Sequence, residues 1–235
     1  MRETQFSIHS RGGVRRLRRA AILSFVAHLV AGIAMAGVLT HGLETTPDLQ
    51  ARLAYLVDHR VLWTLGWLTW TAAAFTILNF YLAFAEVHPP RSQFAVLLTV
   101  VALAPDLSAQ AIEIGVLPGL AAQVVGENAT PELFLMLHRV AVMLSGFVAN
   151  TLYSLTALLL AWTAHHAYAW WVTSTGVAVA VFGFSLSIAA LLNSSAGMFW
   201  TNVFLVPAIL LWLAAVALIS PVGVSSSIFP KSKRR

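Results

Sequence analysis

Six apolar stretches account for most of this chain: Ala20–Thr40, Val61–Phe84, Phe94–Leu117, Leu133–Thr163, Ala169–Leu192 and Met198–Ile219. A hydrocarbon core about 30 Å thick asks for roughly 20 apolar residues at about 1.5 Å rise each, and every stretch is that long. Inside lipid each backbone N–H and C=O must find its partner within the segment, so stretches of this kind fold as helices. The expected fold class is therefore all-α, a polytopic membrane bundle of six transmembrane helices. With 59% hydrophobic and 10% charged residues, the chain departs from soluble domains, where about a quarter of residues are charged. The expected division is a basic N-terminal segment over 1–19, a six-helix transmembrane domain over 20–219 and a basic tail over 220–235. That division leaves no room for a soluble catalytic domain. The first stretch exceeds the about 7–15 residues of a signal-peptide core, so it is expected as a retained helix. The chain has no cysteine, which removes disulfides, thiolate metal sites and thiol chemistry.

Charge sets the expected orientation. Arg2, Arg11, Arg15, Arg16, Arg18 and Arg19 precede the first stretch, and Lys231, Lys233, Arg234 and Arg235 follow the last. Positive charge beside membrane spans stays in the cytoplasm, so both termini are expected there. Arg91, and the pair His165 and His166, fall in the connections on the same side. The opposite loops hold Arg52 and Arg60 against Glu44, Asp48, Asp58, Glu127 and Glu132. Basic clusters also suit nucleic acid, but no recognition module accompanies them; the lipid bilayer, not nucleic acid, is the expected partner.

The first loop on the acidic side carries its own helical pattern. Thr46-Pro47-Asp48 reads as a helix start, with Thr46 as N-cap and Pro47 at the first helical position. Leu49, Leu53, Leu56 and Val57 then recur at helical spacing, which predicts a short amphipathic helix over about residues 47–57. It either lies on the membrane surface or packs as a lid over the bundle. The start recurs: Thr46-Pro47-Asp48-Leu49 leads to His59-Arg60-Val61, and Thr130-Pro131-Glu132-Leu133 leads to His138-Arg139-Val140. Gly66 and Gly146 follow at similar intervals, so the second and fourth spans read as related segments. An inverted three-plus-three repeat finds no support, because the acidic third span has no counterpart in the sixth.

Ionisable residues inside a membrane are costly and mark function by default. The third span holds Pro105-Asp106-Leu107-Ser108-Ala109-Gln110-Ala111-Ile112-Glu113. Asp106, Gln110 and Glu113 stand at i, i+4 and i+7 and share one face, while Pro105 removes a backbone bond and invites a kink. By helical rise, Asp106 lies near mid-membrane and Glu113 about 6 Å from the end of the span. Arg139 and His138 sit at a depth similar to Glu113, which predicts an Arg139–Glu113 ion pair. His28, about 12 Å into the first span, matches Asp106 in depth. Asn150, Tyr153 and Thr156 continue a polar stripe down the fourth span, and Asn79 and Asn202 add donors. Together these residues describe a polar interior for binding or translocation, for catalysis, or for holding helices together.

The eight histidines raise the question of metal or haem. His28 and His138 differ in depth, so they do not form a bis-histidine haem site. His41, His59 and His138 fall near one surface and are the candidates for a metal beside Glu113, but no pair stands one helical turn apart as a ligand motif would. No metal and no cofactor are expected. Gly32, Ala36, Gly37, Ser145, Gly146, Ala149, Gly176 and Gly183 are small residues that let helices approach closely. Trp63, Trp67 and Trp70 form a stripe along the second span, read as packing or as part of an interfacial belt with Trp170, Trp171, Phe199 and Trp200.

The six-helix layout, with Pro-Asp-Leu-Ser-Ala-Gln in the third span, resembles bacterial multi-pass membrane proteins grouped only as domains of unknown function. The resemblance covers nearly the whole chain, implies a bacterial inner-membrane address and transfers no mechanism. No Walker loop, nucleophile elbow, zincin helix or selectivity filter is present. The expected function is a small-solute or proton-linked transporter, or a membrane-embedded binding protein, for a small-molecule or proton ligand. Its polar site would be Asp106, Gln110 and Glu113, with His138, Arg139, His28 and Asn150 around them. The alternatives are a membrane enzyme acting on a lipid-soluble substrate, with Asp106 or Glu113 and His138 as acid–base groups, and a non-catalytic accessory subunit. Binding or translocation ranks ahead of catalysis. No catalytic residue is assigned, and oligomeric state is not legible.

Overall fold

A computed structural model describes residues 2–88 and 92–219, with side chains from Gly12 onward. Arg91, the tail over 220–235 and the side chains of Arg2 and Arg11 lie outside the described residues. Among those residues the chain forms α1 (Arg2–Gly37), α2 (Leu49–Asp58), α3 (Arg60–Val87), α4 (Ser92–Gly115), α5 (Leu117–Val125), α6 (Pro131–Val142), α7 (Asn150–Thr163), α8 (Trp170–Leu191) and α9 (Ser195–Leu218), with no strand. Six segments are long and apolar enough to cross a membrane: Gly12–His41, Arg60–Val87, Ser92–Val125, Pro131–Thr163, Trp170–Leu191 and Ser195–Leu218. They coincide with the six stretches read from the sequence. From Arg2 onward α1 runs through the basic segment into the first apolar stretch without a break.

Local chemistry explains several boundaries. Pro105 sits inside α4 without ending it. The third segment continues past Gly115 as α5, with Pro118 in its first turn, where a missing N–H costs nothing. In the fourth segment α6 and α7 are joined by a π-helical stretch over Met143–Ala149. Asn193 turns the chain between α8 and α9 at a φ of 54°, a left-handed conformation that asparagine tolerates. Ser194 then caps α9, its Oγ accepting from the Gly197 N–H at 3.1 Å.

The bundle has two apolar cores. At the end holding the start of α1, here the terminal end, Leu17, Ala21, Phe80, Phe84, Leu160 and Trp212 belong to one buried cluster. At the opposite end Leu39, Leu53, Leu56, Trp63, Leu117 and Phe134 form another. The outward surface is also apolar, with Ile22, Ile33, Leu65, Leu97, Ile188 and Leu211 all exposed. A soluble protein rarely shows apolar surface on this scale.

The second cluster settles the place of α2. Leu53 and Leu56 are buried against α3 and α5 residues, so α2 packs as a lid rather than lying free on a surface. Its cap differs from expectation. Asp48, not Thr46, is the N-cap, and its Oδ1 accepts from the N–H groups of Gln50 (2.9 Å) and Ala51 (3.2 Å). A carboxylate that satisfies two orphan donors of the first turn holds the start there, leaving Pro47 outside the helix. The two Thr-Pro motifs therefore fold differently. Thr130 does occupy the N-cap position of α6, with Pro131 at its start, but its side chain makes no capping hydrogen bond. His59, however, is an exposed residue at the break between α2 and α3, whereas His138 and Arg139 lie inside unbroken α6.

Candidate functional site: a polar-walled cavity beneath the lid

The shared face of Asp106, Gln110 and Glu113 points inward, and all three are buried, Glu113 with 2% exposure. They form one wall of a cavity of about 210 Å³. His28 from α1, Trp67 and Trp70 from α3, Tyr153 from α7 and Asn202 from α9 also line it. Most of the remaining lining is aliphatic or aromatic, with Ile77, Tyr81 and Trp212 toward the terminal end.

The deeper half is organised around Asp106. Its Oδ1 accepts from Ser145 Oγ at 2.9 Å and its Oδ2 from Tyr153 OH at 3.2 Å. Ser145 lies in the π-helical stretch, a distortion often found at functional sites. Gln110 Oε1 accepts from Thr71 Oγ1 at 2.5 Å. Asn150 borders the cavity but spends its amide on α8, donating to Gly183 O at 2.6 Å and Ser187 Oγ at 3.0 Å. Thr156, further along the same stripe, donates to the Ala95 carbonyl and holds α7 to α4.

At the lid end Glu113 meets a charged cluster of His138, Glu44 and Arg52, which do not themselves line the cavity. His138 Nε2 stands 2.8 Å from Glu44 Oε2 and 3.8 Å from Glu113 Oε1. Arg52 Nη2 donates to His138 Nδ1 at 2.7 Å, and Arg52 Nε donates to the Gly42 carbonyl at 3.2 Å. A guanidinium has no acceptor, so Nδ1 carries the lone pair and the ring proton sits on Nε2, toward the carboxylates. The guanidinium also lies 5.8 Å over the Phe134 ring, a cation–π contact. Burial pushes the Glu44 carboxyl up, but His138 and Arg52 beside it outweigh that and leave it below its ordinary value. Burial lowers the Arg52 guanidinium, with Glu44 and Glu113 opposing. Trp63 Nε1 donates to the Glu113 carbonyl at 2.7 Å and locks α3 to α4 at this level.

Arg139 is the correction. It does not pair with Glu113; its Nη1 donates to the Ala190 carbonyl at 2.6 Å and its Nη2 to the Leu191 carbonyl at 3.1 Å. The last carbonyls of α8 are unsatisfied by the helix itself and carry its negative dipole end, so they draw the guanidinium away from the cavity. Arg52 stands where Arg139 was expected. A signal for it existed: Arg52 is three residues after Leu49 and four before Leu56, on the apolar face of α2. Glu44 had none, because its approach depends on how the loop before α2 folds back.

The remaining expectations divide. His28 and Asp106 border the same cavity without bonding to each other among the described residues. His28 Nδ1 donates instead to the Ser24 carbonyl at 2.8 Å, and its ring stands edge-on to Trp70. His41 and His59 flank Tyr55, at ring separations of 5.3 and 4.8 Å, away from His138. Among the described residues no three histidine or acidic side chains are grouped to hold a metal. Asn202 reaches the cavity, whereas Asn79 borders a basic cleft with Arg15, Arg16 and Arg19. Trp67 and Trp70 belong to the cavity wall rather than an interfacial belt, unlike the exposed Trp170, Trp171 and Trp200.

Three residues lining the cavity hold a buried polar atom with no hydrogen-bond partner among the described residues: Glu113 Oε2, Trp67 Nε1 and Trp70 Nε1. Leaving a buried donor or acceptor unsatisfied costs about 1–3 kcal/mol each, and folded proteins seldom carry several together. Compared with protein-family models, curated proteins and solved structures, the chain matches none.

Proposed function

We propose that the protein is a multi-pass membrane protein that binds, between its helices, the polar group of a small lipid-soluble molecule. The observation that carries this reading is that three residues lining the cavity, Trp67, Trp70 and Glu113, each hold a buried polar atom with no partner among the described residues: two indole donors and one carboxylate oxygen. Aliphatic and aromatic side chains line most of the rest. Such a wall suits a mostly apolar ligand with one group that both accepts and donates hydrogen bonds. Arg15, Arg16, Arg18 and Arg19 put the terminal end in the cytoplasm under the positive-inside rule, and the lid then faces the opposite side. The layout suits a bacterial inner membrane. Asp106, held by Ser145 and Tyr153, lies deeper and would come into play if binding is one half of a transport cycle.

Native mass spectrometry of the protein extracted in mild detergent tests this. A small-molecule adduct at one per chain is expected, and E113Q or W70F should lose it. Proton or solute flux in liposomes, abolished in D106N, would extend binding to transport. Absence of an adduct, together with raised stability in E113L/W67F/W70F, would overturn the reading: the cavity would then be imperfect packing between helices. A second reading, an enzyme on a lipid-soluble substrate, is favoured by the 3.8 Å approach of Glu113 and His138, which places a carboxylate and an imidazole together. It requires the adduct to turn over and H138Q to stop it.

A further inference from the structure

Beside the cavity, a second hollow of about 310 Å³ runs between α1 and α9. Leu29, Gly32 and Ile33 from α1 and Phe199, Val203 and Leu210 from α9 border it, and Ile33, Phe199 and Val203 are exposed on the bundle's outward face. The hollow is therefore a groove open to whatever surrounds the helices. Met35, Leu43, Asn202 and Val206 border both the groove and the cavity, so one layer of side chains is all that divides them. Along α9 the groove runs from Phe199 to Leu210, about 17 Å of helical rise and about half of a 30 Å hydrocarbon core. At its lid end Thr45 borders it, with a buried hydroxyl that has no hydrogen-bond partner among the described residues.

Building on the proposed binding function, we infer that the ligand is a single-chain amphiphile carrying a hydroxyl head. Its chain lies in the α1–α9 groove and its head passes between Met35 and Val206 into the cavity. The groove is apolar and one leaflet long, which suits one acyl or isoprenoid chain. Trp67, Trp70 and Glu113, which line the cavity beyond it, each hold a buried polar atom without a partner among the described residues, and a hydroxyl is the smallest group that accepts from an indole and donates to a carboxylate. A charged headgroup would meet the Glu113 carboxylate, while Arg52 is bonded to His138 and does not line the cavity. The dividing layer is narrow at Gly32, where a Cβ would come within 2.9 Å of Val206 Cγ1. Side-chain rotation at Met35, an unbranched and adaptable residue, opens it without moving a helix.

The test uses hexadecanol bearing a photoreactive diazirine in its chain, added to the full-length protein in nanodiscs, with labelled peptides mapped by mass spectrometry. Labelling should concentrate in residues 29–36 and 199–210 and fall at least fivefold under excess unlabelled hexadecanol. The chain has no cysteine, so G32C/V206C forms a single cross-link across the groove. Oxidised G32C/V206C should lose the competable label, and reduction should restore it. Label spread evenly over all outward helix faces, or label that excess alcohol does not compete, would overturn the groove as the chain's seat. Competable groove label unchanged in E113Q/W67F/W70F would overturn the passage of the head into the cavity. If the native adduct persists while the groove stays unlabelled, the lateral route fails and the cavity reading survives.

Discussion

The exchange of Arg139 for Arg52 at the charged cluster can be tested by a pair of double-mutant cycles. R52M removes the donor to His138 Nδ1 and to the Gly42 carbonyl and leaves two carboxylates without their cation. Breaking a fully buried pair costs about 3–5 kcal/mol. Arg52 makes no direct contact with a carboxylate, and the Glu44 side chain is 23% exposed, which pulls the expected loss down to about 2–3 kcal/mol. Neutralising the second buried charge should return part of it, so R52M/E113Q should be about 1–2 kcal/mol more stable than the sum of its single changes requires. R139M loses two charge-assisted bonds to the α8 carbonyls, about 1–2 kcal/mol in a partly exposed setting. Because those bonds do not involve Glu113, R139M/E113Q should be additive within about 0.5 kcal/mol. Denaturant unfolding of all five variants in one detergent gives both cycles. Coupling of Glu113 to Arg139, or its absence with Arg52, would refute the assignment.

Other outcomes follow from packing and titration. At Gly183 a Cβ would fall 2.0 Å from Ser154 Oγ and 3.1 Å from Ser154 Cβ. G183A should therefore cost about 1–3 kcal/mol by overpacking, and G183A/S154A should recover most of it in thermal unfolding. D48A removes the carboxylate that caps α2 and should cost about 1 kcal/mol, read as faster amide exchange confined to residues 49–58. Burial of His88 between Phe84 and Tyr168 lowers its pKa from 6.5 to about 4. Below pH 6.5 the unfolded chain takes up a proton that the folded one refuses. Stability should therefore decline as pH falls from 6.5 toward 4 and level off below that. H88F should flatten that slope, and a slope unchanged in H88F would assign it to other groups.

Hydropathy alone determined the six long helices, because a segment that must satisfy its backbone within lipid has one way to fold. Spacing alone put Asp106, Gln110 and Glu113 on one face, since the 3.6-residue turn is a local property, and the structure turns that face inward. The sequence also supplied both options for the lid helix, and packing of Leu53 and Leu56 chose between them. Tertiary structure decided which charges meet. Arg52 reaches His138 across 86 residues of sequence, while Arg139, adjacent to His138, turns to the end of α8. A long cationic side chain goes to whichever unsatisfied oxygen the fold brings within reach, and depth along a single helix cannot show the carbonyls of a neighbour. The cavity, its unpartnered indoles and the groove beside it are likewise spaces between helices, set by where side chains stop rather than by any run of residues.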